Sequence, residues 1–599
     1  MPTRQVSFGQ EGFEAGVFHD TADYLIPDRG LRDLTDAFVE KDGAAIERGG
    51  TEYLSGAALD TSLRWVADHY FDVGQRTIFA SADNFGVLDA DDSTVINLGS
   101  DGLTHPATSA LIPDEAGGPL LFIGGGYIYA GSRKAAPYNT GTISTTQGST
   151  TVTGAGTTWN TLVDAGMLLQ VGNERVYRVA SITDTTTLEL AEPYEGSTGA
   201  GKVYTLHNLY KITTADPYPD ADFYGVCVNR LIWAERNLIH AAEQQQPHQL
   251  TAPIGGENIP LTHALPEGVR ITGFGTVGQS LLAFTTQGIW KLDGLAFDIV
   301  DPSGANQHTL SRYSGEHILW HANGIASWED ALVVPCVDGV FLIDGVSEPL
   351  RISHPVDEDV MEYVDRAYRC GQAVVYRGHY LLPVYSGNSS ARAKMVCRVN
   401  RPIRISGQTV HPWSFFERHA KQVVAYAVRV GETTREPKLI GAVLSSDARL
   451  VECNYFDPGI DHEQDANGDI PTLDLISRAY ATGNNTRNMV RNGRTRYELV
   501  SADPGIEFSF ATTRERAGVL LYDTGLLYDD GHQYVTDEEA GGFVAACTGG
   551  ESDGREPKRC RVNTMTRFVI WRVRNPRASQ SCRIRGIDIR VRPSQAVRR

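Results

Sequence analysis

LLAFTTQGIWKLDG, Leu281–Gly294, is the stretch that decides the fold. Two short apolar runs flank a turn that contains Gly288, and Asp-Gly closes the stretch, which is the pattern of a β-hairpin. Seven segments share this pattern: Thr77–Leu98, Pro119–Gly131, Leu231–Ala242, Leu281–Gly294, Ala331–Gly345, His379–Asn400 and Lys438–Asn454. Long amphipathic helices are missing, so the sequence predicts an all-β protein.

The spacing of these hairpins indicates a repeat. Neighbouring segments start 42 to 59 residues apart, except for one interval of 112 residues. That interval falls to about 45 when a foreign segment of roughly 67 residues is removed. A strand-built period of about 40 to 50 residues is typical of a β-propeller, in which each repeat is one blade. We therefore predict a propeller of about seven blades; a string of β-sandwiches is the alternative, but its spacing would be less regular.

Residues 139–207 are the foreign segment. They are rich in Thr, Ser and Gly, alternate polar with apolar residues and contain no stretch of helical period. We predict an inserted small β-barrel or sandwich module that interrupts the propeller between blades two and three. Loops on a rigid scaffold tolerate such insertions.

The rest of the chain divides around these parts. At 599 residues it exceeds what one hydrophobic core supports, so two or three domains are expected. Val356–Tyr368 is the one helix-like stretch. The predicted boundaries are an N-terminal docking segment 1–60, a first propeller part 61–138, the inserted module 139–207, a second propeller part 208–455, an acidic linker 456–475 and a C-terminal β-sandwich with a basic end, 476–599.

Cysteine usage and hydropathy bear on where the protein is made. The eight cysteines occur singly, without a CxxC pair, which favours free thiols over a disulfide framework or a zinc site. The first nine residues lack the pattern of a signal peptide, and no apolar run approaches the ~18 residues of a membrane span. We expect a soluble protein that is assembled in the cytoplasm.

The net charge of −19 is unevenly distributed. Residues 555–599 hold 14 Arg or Lys against two acidic residues, a balance of +12, so the first 554 residues carry −31. A basic end of this kind can steer a chain toward an acidic partner, and the acidic remainder disfavours tight binding of nucleic acid. The alternative is a solvated strand face, because Cys582–Val591 alternates charged and apolar residues.

Two motifs could bind ions. The acidic linker places Glu463, Asp465, Asn467, Gly468, Ile470 and Asp474 at positions 1, 3, 5, 6, 8 and 12 of a calcium loop. Position 1 is not Asp, position 12 is not Glu and neither flank looks helical, so a solvated linker is favoured. Gly124–Gly126 follows a strand, but no GK[ST] comes after it, and a hairpin turn is favoured over a phosphate loop.

A propeller glycosidase is the enzyme hypothesis, because glycoside cleavage needs two carboxylates and a propeller can focus them on its axis. The candidates are the turn residues Asp83, Asp293, Asp338, Asp344 and Asp447. Turn Asp residues more often bond the local backbone. The sequence has no GxSxG or HExxH, and no Ser, His and Asp arrangement stands out. We expect no catalytic residue, no metal and no cofactor.

Aromatic residues offer a second kind of site. Five tryptophans could stack sugars, but they lie within strand patterns where core packing is favoured: Trp159, Trp290, Trp320, Trp328 and Trp413. Phe568 and Trp571, among Arg-rich strands, could stack on nucleic acid. The acidic bulk of the chain argues against tight DNA binding.

Three segments carry a resemblance to a known family, and the first is the opening Leu34–Val39 with Asp42–Leu54, which contains Arg48-Gly49-Gly50-Thr51. It resembles tail nozzle and tail-hub proteins of short-tailed bacteriophages and departs from them at Gly49, where many relatives have Pro. The insertion is similar to a β-module of phage tails at Gly141-Thr142, Gly148–Val152, Gly154, Gly156-Thr157 and Trp159. The closing Ile584–Pro593 is similar to the final strand of such proteins, whereas the blades between match only in spacing.

The resemblance implies a structural virion protein. It would be a homo-hexameric propeller ring below the portal or adaptor, near tail fibre or spike proteins, enclosing the channel through which genomic DNA leaves without specific binding. A negative wall would let DNA pass without the phosphate contacts that hold it. The alternatives are a receptor- or glycan-binding tail tip, which would need exposed aromatic grooves on the insertion, and a propeller depolymerase, which would need paired carboxylates.

If the chain is such a ring, its basic end should dock an acidic partner or neighbouring subunit. We expect assembly onto tail-less particles to weaken with salt, and changing Arg583, Arg585, Arg590 and Arg592 to Ser to remove much of that dependence. Docking measured against salt concentration checks this. An unchanged salt slope would assign the arginines to a solvated strand face.

Overall fold

The computed structural model describes residues 6–456 apart from 22–24, 41, 55–62, 82–83, 89–94, 100–107, 114–117, 214–217, 219, 250, 255–256, 298–306, 387–389, 406, 417–422, 431–434 and 445–448; beyond these it describes 473–477 and the backbone of the strands up to residue 592. Side chains after residue 477 are described only at Arg572, Val573 and Ile584. Strands dominate this part of the chain, which confirms the predicted all-β class.

Six strands open the chain and serve three different sheets. They are β1 (Val6–Glu11), β2 (Gly16–Val17), β3 (Gly30–Thr35), β4 (Ala37–Val39), β5 (Ala45–Glu47) and β6 (Thr51–Tyr53). None of the three sheets is completed by neighbours in sequence, because β1 and β5 pair with the last strand, β3 with a strand after residue 473, and β6 with a strand that ends at Cys453.

Blades one and two follow, with the inserted module between the third and fourth strands of blade two. Blade one is β7 (Leu63–Phe71), β8 (Gly74–Ser81), β9 (Phe85–Leu88) and β10 (Val95–Gly99). Blade two begins with β11 (Ser109–Ile112), β12 (Leu120–Ile123) and β13 (Tyr127–Tyr129). The module is β14 (Thr142–Thr145), β15 (Thr151–Ala155), α1 (Trp159–Leu162), β16 (Leu168–Val171), β17 (Val176–Ile182), β18 (Thr187–Leu190), β19 (Gly199–Lys202) and β20 (Tyr204–His207). Blade two ends with β21 (Leu209–Lys211), which pairs with β13.

Blades three to five are four-stranded antiparallel sheets in sequence order. Blade three is β22 (Tyr224–Cys227), β23 (Arg230–Glu235), β24 (Leu238–Ala241) and β27 (Thr262–Ala264), with a hairpin of β25 (Thr251–Ile254) and β26 (Glu257–Pro260) before its last strand. Blade four is β28 (Ile271–Val277), β29 (Ser280–Thr285), β30 (Gly288–Asp293) and β31 (Thr309–Ser314). Blade five is β32 (Ala326–Trp328), β33 (Ala331–Cys336), β34 (Gly339–Ile343) and β35 (Leu350–Arg351).

The predicted helix in Val356–Tyr368 is confirmed as α2 (Asp357–Asp365), which follows blade five. Its first turn is capped from the N-terminal segment, because the Asp20 carboxylate accepts the N–H groups of Asp357 (2.8 Å) and Glu358 (3.0 Å). Among the described residues, no helix is long and apolar enough to cross a membrane.

One blade of the ring, blade six, belongs to a larger sheet. After β36 (Arg369–Cys370), blade six is β37 (Val374–Tyr376), β38 (His379–Ser386), β39 (Ser390–Arg398) and β42 (Trp413–Phe416), with a hairpin of β40 (Ile403–Ile405) and β41 (Gln408–Val410) before β42. Blade seven is β43 (Val423–Val430), β44 (Pro437–Val443), β45 (Leu450–Cys453) and, as its outermost strand, β6. The ring therefore contains six separate four-stranded sheets and four strands of a 13-stranded sheet.

The C-terminal strands lie in two sheets that they share with the N-terminus. They are β46 (Asp474–Ser477), β47 (Tyr480–Ala481), β48 (Asn488–Leu499), β49 (Glu507–Arg516), β50 (Val519–Asp523), β51 (Val544–Cys547), β52 (Arg559–Thr566), β53 (Phe568–Arg574) and β54 (Cys582–Arg592). In the six-stranded sheet, β54 pairs with β48 on one side and with β1 and β5 on the other. In the 13-stranded sheet, β3 joins β46 to β42 of blade six.

Packing between blades explains the apolar runs in the sequence. In β29, Leu281 and Ala283 pack toward blade three, whereas Leu282 and Phe284 pack toward blade five. A middle strand is thus buried on both faces, so the run LLAF is continuous instead of alternating. Each fully buried Leu or Phe contributes about 1.5–3 kcal/mol. Each of the seven hairpin segments of the sequence covers most of the two middle strands of one blade.

The module closes into a small barrel. Its sheet runs β19-β14-β15-β18-β17-β16-β20, and residues 199–207 close it because β19 pairs with β14 while β20 pairs with β16. Trp159, fully buried, fills its centre and donates its indole N–H to the Tyr204 hydroxyl at 3.0 Å. The insertion lies inside blade two, not between blades two and three as the spacing predicts, because the three-residue β21 that completes the blade has no sequence signal of its own.

The Arg48-Gly49-Gly50-Thr51 motif closes the ring. β6 completes blade seven by pairing with β45. Two backbone hydrogen bonds extend this pairing: the Tyr455 carbonyl accepts the Gly49 N–H (3.1 Å), and the Gly50 carbonyl accepts the Asn454 N–H (3.0 Å). Arg48 is fully buried against Asp36 at 2.9 Å, and its guanidinium also lies over the ring of Tyr455. A Pro at position 49 would lose the bond to Tyr455, and any side chain there would collide with the Asn454 carbonyl oxygen, so Gly fits this point of the motif.

Removal of the module should leave the propeller folded. The Tyr138 N–H donates to Leu206 at 2.9 Å and Asn208 bonds Lys134, so the ends of the segment are adjacent and a short linker can replace it. We expect the chain without 139–207 to stay soluble with an intact β circular-dichroism spectrum, and the excised module to fold alone. Recovery of the deletion variant only as unfolded aggregate would place the segment in the propeller core.

Gly49→Ala should weaken the clasp, the segment Arg48-Gly49-Gly50-Thr51 where it closes the ring. An added Cβ would lie 2.1 Å from the Asn454 carbonyl oxygen, which is backbone and cannot move aside. We expect a loss of about 1–3 kcal/mol in the free energy of unfolding, measured by denaturant titration. Gly199→Ala is the matched control, because its nearest neighbour is the flexible Lys202 side chain. Equal stability of the two variants would contradict the requirement for Gly at position 49 in ring closure.

Candidate functional site

A cavity of about 370 Å³ lies where the innermost strands of the propeller converge. Strands β7, β11, β22, β28 and β32 of blades one to five line it, together with Gln372 and Ala373, which precede the innermost strand of blade six. We call it the axial cavity. None of the 18 described residues that line it is charged.

Glycines allow the blades to approach each other around this cavity. A Cβ on Gly275 would lie 2.3 Å from a methyl group of Leu332 in the next blade, and one on Gly225 would lie 3.3 Å from Phe274. Only a residue without a side chain fits where β28 meets blade five. The cavity is therefore the space that remains between closely packed strands.

Most polar groups around the cavity tie one blade to the next. Gln372 Oε1 accepts the Val66 N–H of blade one at 3.1 Å. The Thr276 hydroxyl donates to the Val226 carbonyl at 2.6 Å, which joins blades four and three. Asn323 is different, because its buried Oδ1 has no hydrogen-bond partner among the described residues. An unsatisfied buried acceptor costs about 1–3 kcal/mol, and because this oxygen has almost no accessible surface, a group in the cavity cannot reach it.

The described turn aspartates are engaged locally and none lines the axial cavity. Asp344 accepts the N–H groups of Val346 (2.9 Å) and Ser347 (2.7 Å), and these backbone bonds lower its pKa. Asp338 lies 2.9 Å from His317. Asp293 accepts the Ser280 hydroxyl and lies 3.2 Å from Lys291. Asp83 and Asp447 lie outside the described residues.

The five tryptophans pack against hydrophobic core. Trp159 and Trp413 are fully buried, and Trp413 donates its indole N–H to the Ile352 carbonyl at 2.8 Å. Trp320 donates to the Tyr368 carbonyl at 3.1 Å. Trp328 packs on the same cluster as Trp320, and Trp290 packs between blades three and four.

The remaining predicted sites lie partly outside the described residues. Gly124–Gly126 forms the turn between β12 and β13, where Gly125 and Gly126 have positive φ of 86° and 80°. Of the calcium-loop positions, 463, 465, 467, 468 and 470 lie outside the described residues, while Asp474 pairs with Arg572. The side chains of Phe568, Trp571, Arg583, Arg585, Arg590 and Arg592 are also outside them. Within the described part of the chain, no three His, Cys, Asp or Glu side chains gather to hold a metal ion.

Two buried histidines meet between blades three and four. His263 Nε2 lies 3.2 Å from His308 Nδ1, and His308 Nε2 lies 3.0 Å from the Phe297 carbonyl. The carbonyl can only accept, so His308 Nε2 carries a proton, and its neutral Nδ1 accepts from His263. Burial, reinforced by His308 and His240, lowers the pKa of His263 to about 4. Burial also lowers the pKa of His69 to about 4 and that of His379 to about 3.

Acid should therefore destabilise the fold. Because the folded pKa of His263 is below the unfolded value near 6.5, its contribution is present above pH 6.5 and is lost as the pH falls toward 4. His263 alone should account for about 3 kcal/mol at the acid end. In His263→Gln, the amide keeps the hydrogen-bond donor but does not titrate. Denaturant titrations should therefore show a smaller loss of the free energy of unfolding between pH 6.5 and pH 4 in this variant than in the wild type. The exposed His354→Gln is the control, and an equal slope in both variants would contradict the prediction.

Comparisons with known proteins add only distant likeness. No protein-family model matches the chain, and no curated protein matches it. Among solved structures, Saccharomyces cerevisiae Sqt1 is similar at 10% identity over 68% of this chain and 99% of that chain, with a TM-score of 0.31. A mitotic checkpoint complex is similar at 12% identity over 68% and 93%, with a TM-score of 0.32. The propeller assignment rests on the strand pairing and blade packing described above.

Proposed function

We propose that the chain is a structural protein of a bacteriophage tail, a nozzle or hub of which six copies form a ring below the portal or adaptor. The observation that carries the proposal is the position of the motif that resembles this family. Arg48-Gly49-Gly50-Thr51 is the clasp that closes the propeller, and Asp36, within the other half of the resemblance, is the buried partner of Arg48.

The size of the axial cavity bears on where DNA would pass. B-DNA has a major groove that alone is about 12 Å wide, so a duplex does not fit a cavity of about 370 Å³ between strands in contact. A DNA channel would therefore be formed between copies of the chain. The acidic bulk of the sequence would then supply a wall that DNA passes without specific binding.

The proposal extends to partners and location. The sheets shared by the first and last strands lie in the same hydrophobic cluster as blades five and six, so they form a platform joined to the propeller. We propose that this platform and the basic C-terminal end contact the portal or adaptor ring and the fibre or spike proteins. The chain would be assembled in the host cytoplasm and reside in the virion tail, with no membrane partner.

The two alternatives have less support. A glycan-binding tip would need exposed aromatic grooves on the module, yet all four aromatic side chains of 139–207, a segment described in full, are buried: Trp159, Tyr177, Tyr194 and Tyr204. A depolymerase would need free paired carboxylates, and the described turn aspartates bond local groups. A glycan array with the module and a polysaccharide hydrolysis assay test these alternatives directly.

A reconstitution experiment tests the proposal. We expect the 65.4 kDa chain, added to particles that lack it, to form a sixfold ring beneath the portal in cryo-electron micrographs. The chain without 139–207 serves as a control that should still be incorporated. Particles that lack the chain but carry a complete tail nozzle, or a chain that never joins the particle, would overturn the proposal.

A further inference from the structure

The inserted module packs on the ring through one face of its barrel, which strands β16 and β17 form. Leu169 and Tyr177 belong to the core of the barrel. Their neighbours Leu168 and Val176 belong instead to the hydrophobic cluster of blades two and three. These two strands therefore bury side chains on both of their faces, and the module is docked on the propeller as well as connected to it.

Several polar contacts between the module and the ring lie close to the two connecting segments. The Gln170 amide donates to the Tyr210 hydroxyl of β21 at 2.9 Å, three residues after the module ends. Before the module begins, the Lys134 carbonyl accepts from the Asn208 amide at 2.8 Å, and the Lys134 ammonium donates to the Thr161 carbonyl at 3.1 Å. Contacts at the connections hold the module near the ring, but they restrain its rotation weakly, because they lie on the axis about which it would turn.

An ion pair with blade one lies away from that axis. Arg178 of β17 donates through Nη2 to Asp72 Oδ2 at 2.6 Å. Asp72 lies in the turn between β7 and β8, and it can reach the module because the first and third turns of an antiparallel four-stranded blade lie at the same end. The Arg178 side chain is only 9% exposed, whereas Asp72 is 54% exposed. Rotation of the module away from blade one would leave a buried guanidinium without its partner, which is costly.

Gly118 of blade two leaves the space in which this pair forms. A Cβ at this position would lie 2.1 Å from Asp72 Oδ2 and 2.9 Å from Arg178 Nη1. Blade one, blade two and the module therefore meet at one point, and the two charged groups occupy it without room to spare.

We propose that the module is a rigid arm and that the pair of Arg178 with Asp72 is the latch that fixes its angle to the ring. The apolar contacts of β16 and β17 keep the arm on the propeller, and the latch selects one rotation about the connecting segments. An arm of fixed angle holds whatever the module contacts at one position relative to the propeller. The proposal does not rest on a role in a phage tail, because it concerns two parts of one chain.

Distances between two spin labels on the full chain test the latch. A keto amino acid at positions 173 and 267 carries the labels, so the native cysteines are left untouched; both positions lie in exposed turns, one in the module and one between blades three and four. With the latch intact, we expect double electron–electron resonance to give one narrow distance distribution. Asp72→Ala should broaden that distribution at least about twofold, because the module can then rotate about its connections.

Two further variants separate the latch from other effects of a lost charge. Glu195→Ala is the matched control, because Glu195 is an exposed carboxylate that lies 3.3 Å from Arg175 within the module, and its removal should leave the distribution narrow. Asp72→Ala combined with Arg178→Leu removes both charges, so no guanidinium is left unpaired, and it should give a distribution as broad as Asp72→Ala alone. Circular dichroism checks that each variant is folded. A broad distribution with the latch intact, a narrow one in either Asp72 variant, or equal broadening in Glu195→Ala would overturn the proposal.

Discussion

Closure of the ring by a strand from the far end of the chain is the constraint on which the structure depends. Blades pack face to face, so every middle strand needs a neighbour on both sides, and a ring with one incomplete member would expose apolar surface. β6 completes blade seven, and Arg48 is held beside it by Asp36. A buried ion pair adds little net stability, but breaking it leaves a charge unpaired at a cost of about 3–5 kcal/mol. The pair therefore fixes where the strand lies.

The parts of the fold that the sequence predicts are those with local signals. The middle hairpin of each blade is buried on two faces and ends at turn residues, so LLAFTTQGIWKLDG and its six counterparts stand out. Outermost strands are short and partly exposed, as Leu350–Arg351 in blade five shows, and they leave no comparable pattern. The pairing of Val6 with Val591 joins residues that no local pattern connects. This is why the sharing of sheets by the two ends could not be predicted.

The axial cavity could not be predicted from the sequence for a related reason. Asn323 lies before blade five, Gln372 before blade six and Ser109 in blade two, and each is an ordinary polar residue in its own segment. Only ring closure brings them together. The turn aspartates, by contrast, are found in the sequence because their role is local, and Asp344 bonds its own turn as such residues normally do. Sequence patterns therefore identify residues whose role is local, but they do not identify residues that line a cavity together.

The distance in sequence between β6 and β45 has a consequence for synthesis. Tyr53 pairs with Val451, so a ribosome working at about 5–20 residues per second exposes the first strand roughly 20 to 80 s before its partner. β1 stays unpaired for longer still, because its partner β54 spans Cys582–Arg592. A nascent chain carries open strand edges throughout this interval, which are templates for aggregation. Translation that stops before residue 592 leaves those edges open, so a chain truncated there cannot hide them from chaperones and proteases.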